Sequence, residues 1–233
     1  MRTSPRRSGV RARTGGDCAF SGRCAYLVRV PRAVVFVDYQ NTYSGARSAF
    51  HAWDAPYTDG QIDPLKLGEL ITAKDVHHHD LTQVRIYRGR PDSLKEPTAY
   101  AANLRQCTRW ERSSERVRVI ARALRYPTAW PEERAEEKGI DVALAVDFVM
   151  MAIRGEYDVG VVVSTDTDLK PALEAVMSLG GNPYPRAAVA AWSSPVGHSR
   201  RLSISSHRLW CHWLSHDDYL QVRDETDYAR EQS

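Results

Sequence analysis

Two apolar, β-branched runs, VVFV (34–37) and VGVVV (159–163), each break off at polar residues that include acids. Asp38 follows the first, and Asp166 and Asp168 follow the second within STDTDL (164–169). A short continuous apolar run of this kind suits a strand covered on both faces, the environment inside a parallel sheet. In an open α/β sheet, ligands bind just beyond the carboxyl ends of such strands. Acids gathered there from distant segments repel one another, so a cation is the natural reason to assemble them. A third segment, EKGIDVALAVD (137–147), adds Asp141 and Asp147.

The rest of the chain alternates in the same way. AVVFV (33–37), TQVRIYRG (82–89), RVRVIARAL (116–124), VGVVVS (159–164) and RAAVAAW (186–192) read as strands. Between them, 61–76, 96–112, 139–155 and 168–181 read as helices, and SHRLWCHWLSHDDYL (206–220) as a closing helix with Trp210, Trp213 and Tyr219 as packing anchors. Asp63 before Pro64 is a helix-start signal, and the glycines at the end of 168–181 are a stop. The pattern predicts an α/β fold, a parallel sheet of about five strands with helices on both faces. The segment 45–60 reads as a long connection after the first strand, placed to form a lid or substrate rim.

Charge divides the chain. Of the overall net charge of +3, residues 1–32 hold eight Arg against one Asp, a net of +7, which leaves −4 for the remainder. Residues 1–32 are therefore read as a disordered basic arm, 33–222 as the folded domain and 223–233 as a C-terminal tail. The arm has no apolar stretch of signal-peptide length, and no run in the chain is long enough to cross a bilayer. Cys18, Cys24, Cys107 and Cys211 form no C-x-x-C pair, which argues against a zinc ribbon or a disulfide framework. The expectation is a cytoplasmic protein without membrane contact.

Asp38 with Asn41, three residues on, can face one pocket, the carboxylate suiting a hard cation and the amide a water or phosphate oxygen. Taken alone, the pair reads more readily as a helix cap and a turn. Asp147 lies six residues after Asp141, which on a helix turns it roughly 120° away, so the two do not share a metal. Asp147 interrupts an apolar helix and needs a partner that the sequence does not name. Asp166 is the preferred ligand after the fourth strand, and Asp168 is either a further ligand or the cap that fixes the loop. Arg88 and Arg90 follow the second strand at the same end, where they could hold phosphates or stand as solvated turn charges. Lys138 beside Asp141 could reach a scissile phosphate. His77, His78 and His79 with Asp80 resemble a metal cluster but fall in the turn before the second strand, at the far end of the sheet, and read as a solvated loop. No P-loop, G-x-G-x-x-G or G-x-S-x-G is present.

VVFVDYQNTY (34–43), YRGRPD (87–92), EEKGIDVALAVDFV (136–149) and VVVSTDTDLKPALEAV (161–176) together resemble the NYN domain family of the PIN-like nuclease superfamily. The resemblance runs from about Ala33 to Tyr219, and its most specific parts are the K-G-x-D and S-x-D-x-D blocks. It implies a PIN-like parallel sheet with an acidic pocket and a ribonuclease that uses Mg²⁺ or Mn²⁺. Asp38, Asp141, Asp166 and Asp168 would be its metal ligands, and Asn41 would position water or phosphate. Arg88, Arg90 and Lys138 are the candidate substrate contacts, and single-stranded RNA is the expected partner. The resemblance leaves a homodimer open. Gln40 and the long 45–60 connection depart from the pattern and bear on substrate rather than on chemistry. The other class of function is a non-cleaving module that binds RNA, a nucleotide or a protein, motivated by the acidic balance of the domain.

Overall fold

A computed structural model describes residues 29–76, 78–180, 186–195, 197 and 199–230. The first strand, β1 (Arg32–Asp38), is buried at every position after Arg32. Its side chains alternate: Val35 and Val37 enter one core, Val34 and Phe36 the other. That period of two is what a strand covered on both faces requires. β2 (Asp80–Arg90), β3 (Val117–Ala123), β4 (Val159–Val163), β5 (Arg186–Trp192) and β6 (Trp210–Leu214) complete a six-stranded sheet in the order β3-β2-β1-β4-β5-β6. Every pairing is parallel. The chain builds outward from β1 to β3, then returns to β4 on the other side of β1. The β1/β4 boundary is therefore the topological switch point where open α/β sheets bind ligands.

Helices cover both faces. α1 (Tyr39–Phe50), α2 (Pro64–Ala73), α3 (Pro97–Ser113) and α6 (His216–Val222) pack on one core, and α4 (Ile140–Ile153) and α5 (Lys170–Ser178) on the other. The Asp63 carboxylate accepts the backbone N–H groups of Leu65 and Lys66, so the predicted start of α2 is capped as its sequence requires, a contact worth about 1 kcal/mol.

Three expectations are corrected. The closing segment 206–220 is a sixth strand followed by a short helix: alternating Cys211, His212, Trp213 and Leu214 extend the sheet beside β5, and Ser215 with Asp218 forms a capping box that starts α6. Trp210 and Trp213 are accordingly exposed along the sheet edge, and only Tyr219 is a buried anchor. The 45–60 connection begins as helix, with its first six residues closing α1. α1 runs to Phe50, and Arg47 then donates to the carbonyls of Ala55, Pro56 and Asp59, tying the remaining loop against that helix. The histidine loop is not simply solvated either. His79 Nδ1 lies 3.0 Å from the buried Asp75 carboxylate, and His212 Nε2 approaches the same carboxylate at 3.5 Å. His77 lies outside the described residues.

At the N-terminus of the described chain, Arg29 and Arg32 both bond Asp158, just before β4. Residues 1–28 of the basic arm, with Cys18 and Cys24, lie outside the described residues. The segment set aside as a C-terminal tail packs through residue 230: Tyr228 is buried, and Arg105 on α3 donates to its carbonyl. No helix among the described residues is long and apolar enough to cross a membrane.

Candidate active site

β1 ends at Asp38, and α1 begins at the next residue. The Asp38 carboxylate caps that helix, with Oδ1 accepting the Asn41 N–H at 3.2 Å, and its Oδ2 accepts the Ser164 hydroxyl at 2.9 Å. Cap and site are thus the same group. Asp38 is 4% exposed. Burial, with smaller contributions from the charges of Asp141 and Glu137, pushes its carboxyl up to about 6, against the opposing pull of the Asn41 and Ser164 hydrogen bonds.

Ser164 ties the two switch-point strands together. Its hydroxyl donates to Asp38, and its oxygen accepts the Asp166 N–H at 3.0 Å. Asp166 is the cap of the 3-10 turn Thr167–Leu169, with Oδ1 accepting the Asp168 N–H at 2.9 Å. Of the two acids in the S-x-D-x-D block, it is therefore Asp166 that fixes the loop, and Asp168 that stands exposed.

Asn41 reaches across the switch point. Its Oδ1 accepts both the Thr165 N–H at 2.9 Å and the Thr165 hydroxyl at 3.1 Å. A backbone N–H can only donate, so the amide orientation is fixed: both oxygen lone pairs are engaged and the Nδ2 group is the end left to donate. Asn41 therefore offers a donor, not an acceptor, at this edge.

Asp141 enters from α4, whose first residue follows Gly139 in a left-handed conformation (φ 74°). That turn suits glycine because a side chain would be strained there. The Asp141 carboxyl is raised by burial and by the charges of Asp166 and Asp168. Asp141 also raises Asp38 and Glu137, so its carboxylate links acids from three chain segments. Asp147 does not join them. It accepts from Arg85 at 2.5 Å and from the Tyr87 hydroxyl at 2.8 Å, which gives it the partners the sequence left unnamed.

Sequence reasoning missed Ser164 and Glu137. Ser164 stood in the S-x-D-x-D block as spacing only. Glu137 stood immediately before the K-G-x-D block, two residues ahead of its glycine. β2 outruns β1 by three residues, because β1 pairs only as far as Tyr87 while β3 pairs on to Arg90. The Gly89 N–H is thereby left free, and Glu137 Oε1 accepts it at 2.6 Å. Glu137 is exposed as a residue, yet its carboxylate turns inward, and burial followed by Asp141 raises it against the pull of Gly89 and Arg88. A Cβ on Gly89 would sit 2.3 Å from Leu124 and 2.7 Å from the Glu137 carboxylate, so only glycine permits this approach.

The basic candidates divide. The Arg88 guanidinium lies 4.6 Å from the Tyr39 ring centroid and 5.3 Å from that of Trp110, and donates to Gln106 at 2.7 Å. Its charge is directed into the protein, where it lowers the carboxyl of Glu137. Arg90 and Lys138 are exposed.

The donor set fits a hard divalent cation in its chemistry, since carboxylates that raise one another's pKa are relieved by a positive ion. Among the described residues, no three His, Cys, Asp or Glu side chains form a group that could hold a metal ion. What fits is the open mode of Mg²⁺ or Mn²⁺, held by one or two carboxylates and completed by water and substrate phosphate.

The NYN domain family model matches residues 32–183, from the first strand to just past α5. The chain belongs to the NYN domain family. NYN domains are part of the PIN-like superfamily and are generally nucleases, typically with divalent metals. The match spans every acid of this NYN domain's switch point, and β6 and α6 lie beyond it. Among solved structures, the chain is similar to a protein of unknown function from Vibrio parahaemolyticus, with 16% identity, 70% of this chain and 81% of that chain covered, and a TM-score of 0.42. No curated protein matches the chain.

Proposed function

We propose that this NYN domain is a Mg²⁺- or Mn²⁺-dependent ribonuclease that hydrolyses phosphodiester bonds in single-stranded RNA. One observation carries the reading: the carboxyls of Asp38, Glu137 and Asp141 are each raised by burial and by neighbouring acids, with Asp166 and Asp168 acting on Asp141, beyond the ends of β1 and β4, at the topological switch point. Carboxylates so arranged destabilise the fold unless a cation relieves their charge.

One or two of Asp38, Asp141, Asp166 and Asp168 would hold the ion directly, with the remaining acids acting through its bound water. When bound there, a divalent ion would supply a more acidic water and positive charge for the phosphate. The chain's own groups do the positioning. The Asn41 amide Nδ2 donates to a phosphate oxygen. Ser164 fixes the rotamer of Asp38 and the start of the Asp166 turn in one contact. Arg90 and Lys138, which are exposed, would meet the RNA backbone.

The test is cleavage of a labelled single-stranded RNA and its DNA counterpart with Mn²⁺, with Mg²⁺ and with EDTA, wild type beside Asp141→Asn. Metal-dependent RNA cleavage that the substitution abolishes is the expected result. Equal cleavage by both proteins, or cleavage in EDTA, overturns the reading. RNA binding without any cleavage favours a silent binding module.

A further inference from the structure

A groove of about 550 Å³ opens on the β4/β5 side of the acids, a size within the usual range for small-ligand sites. It shares Asn41, Ser164 and Thr165 with the candidate active site. Its lining is otherwise unlike that site. Among the described residues it contains no acid and a single cation, Arg200. Its base includes Ala190, Ala191 and Trp192, and the indole N–H of Trp192 is held by the Thr42 carbonyl at 2.9 Å.

The α1 wall of the groove is low for a sequence reason. Gly45, Ser48 and Ala49 follow Asn41 at helical spacing, so one face of α1 presents only small side chains to the space. A Cβ at Gly45 would already lie 3.1 Å from the Trp192 ring. The opposite wall is the loop after β5, where the Ser194 N–H donates to the Ser199 hydroxyl at 3.1 Å just ahead of Arg200.

We propose that this groove binds one nucleotide of a single-stranded nucleic acid, the nucleotide flanking the scissile phosphate, with Arg200 pairing with its outer phosphate. The proposal rests on the nuclease reading for the identity of the strand. The chemistry that selects such a ligand is a neutral, hydroxyl-rich and partly apolar cavity for sugar and base, one guanidinium for a phosphate, and the Asn41 amide at the border with the acids. A divalent cation would find no ligand charge here, and a fully charged polyphosphate would find only one counter-charge.

The experiment measures binding and cleavage separately. Affinity of a fluorescein-labelled 12-nucleotide single-stranded RNA, and of the DNA of the same sequence, is measured in EDTA by anisotropy across a salt series for wild type, Ser48→Trp and Arg200→Ala. Ser48 is exposed on α1, so a tryptophan there fills the groove without entering the core, and circular dichroism with a melting curve checks its fold. Ser48→Trp is expected to weaken binding at least tenfold. Arg200→Ala is expected to weaken it severalfold and to reduce the slope of log K against log salt by about 0.7, the value for one phosphate contact on a single strand. Comparison of the two oligonucleotides distinguishes RNA from DNA as the source of the nucleotide. In the cleavage assay both variants should raise KM more than they lower kcat. Folded variants that bind both oligonucleotides as wild type does, with an unchanged salt slope, overturn the groove even if the enzyme cleaves. Weakened binding in a protein that never cleaves sustains the groove and rejects the nuclease.

Discussion

Ser164 Oγ lies 2.9 Å from Asp38 Oδ2 and joins the ends of two neighbouring strands whose sequences are 126 residues apart. The contact opposes the burial that raises Asp38. Ser164→Ala is expected to push the Asp38 carboxyl further up, because a hydrogen bond to the charged form has been removed. Activity should fall about 10-fold or more, with the acid limb of the kcat/KM–pH profile moved to higher pH. A pH–rate profile checks this, and an unmoved acid limb would separate Ser164 from Asp38.

Asp38 is ionised at neutral pH at a cost to the fold. Its carboxyl is raised from 3.8 to about 6 in the folded protein. The native state therefore binds the proton more tightly than the unfolded chain. Its contribution to stability is complete below about pH 4 and is lost as pH rises through about 6. Asp38→Asn in EDTA should be more stable than wild type at pH 7.5, by up to about 3 kcal/mol, and should converge with it near pH 4. Added Mg²⁺ should close the gap by stabilising only the wild type. Urea melts at several pH values test the sign, and a variant destabilised at pH 7.5 would contradict it.

Glu137 depends on the bare backbone of Gly89. Gly89→Ala should cost about 1–3 kcal/mol through its clash with Leu124 and should also displace the carboxylate. Glu137→Gln keeps the shape and removes the charge, so it should leave the melting temperature near wild type while weakening Mn²⁺ binding several-fold. Calorimetric titration with Mn²⁺ distinguishes them. Unaltered metal affinity in Glu137→Gln would remove Glu137 from the site.

Arg88 and Arg90 differ by two residues and should differ in kind. Arg88→Ala removes a guanidinium that lies over two buried rings and bonds Gln106, and should cost about 1–3 kcal/mol of stability. Arg90→Ala should change stability by less than about 0.5 kcal/mol, with its effect confined to salt-sensitive RNA affinity. Equal denaturation midpoints for the two variants would argue against this division.

The strands that build the centre of the sheet were legible because β-branched runs buried on both faces leave an unbroken apolar signature. The closing strand was not. Trp210–Leu214 is an edge strand with exposed tryptophans beside buried His212 and Leu214, and in so short a segment the aromatic spacing reads equally well as a helix face. α1 was only half legible: Asp38 with Asn41 already read as a helix cap, but Gly45 and the polar residues after it carry too little apolar periodicity to show that the helix runs on to Phe50.

The sequence alone determined which acids stand at strand ends, since hydrophobic period and strand length set where the chain leaves the sheet. It also separated Asp147 from Asp141, because helical rotation is a local property. The tertiary structure decided everything that depends on what lies across the switch point. Register between β1 and β4 is what brings the Ser164 hydroxyl to Asp38 and the Thr165 donors to Asn41. The three-residue overhang of β2 is what frees the Gly89 N–H for Glu137. Directional contacts of this kind join residues far apart in the chain, and only the pairing of strands fixes their distances.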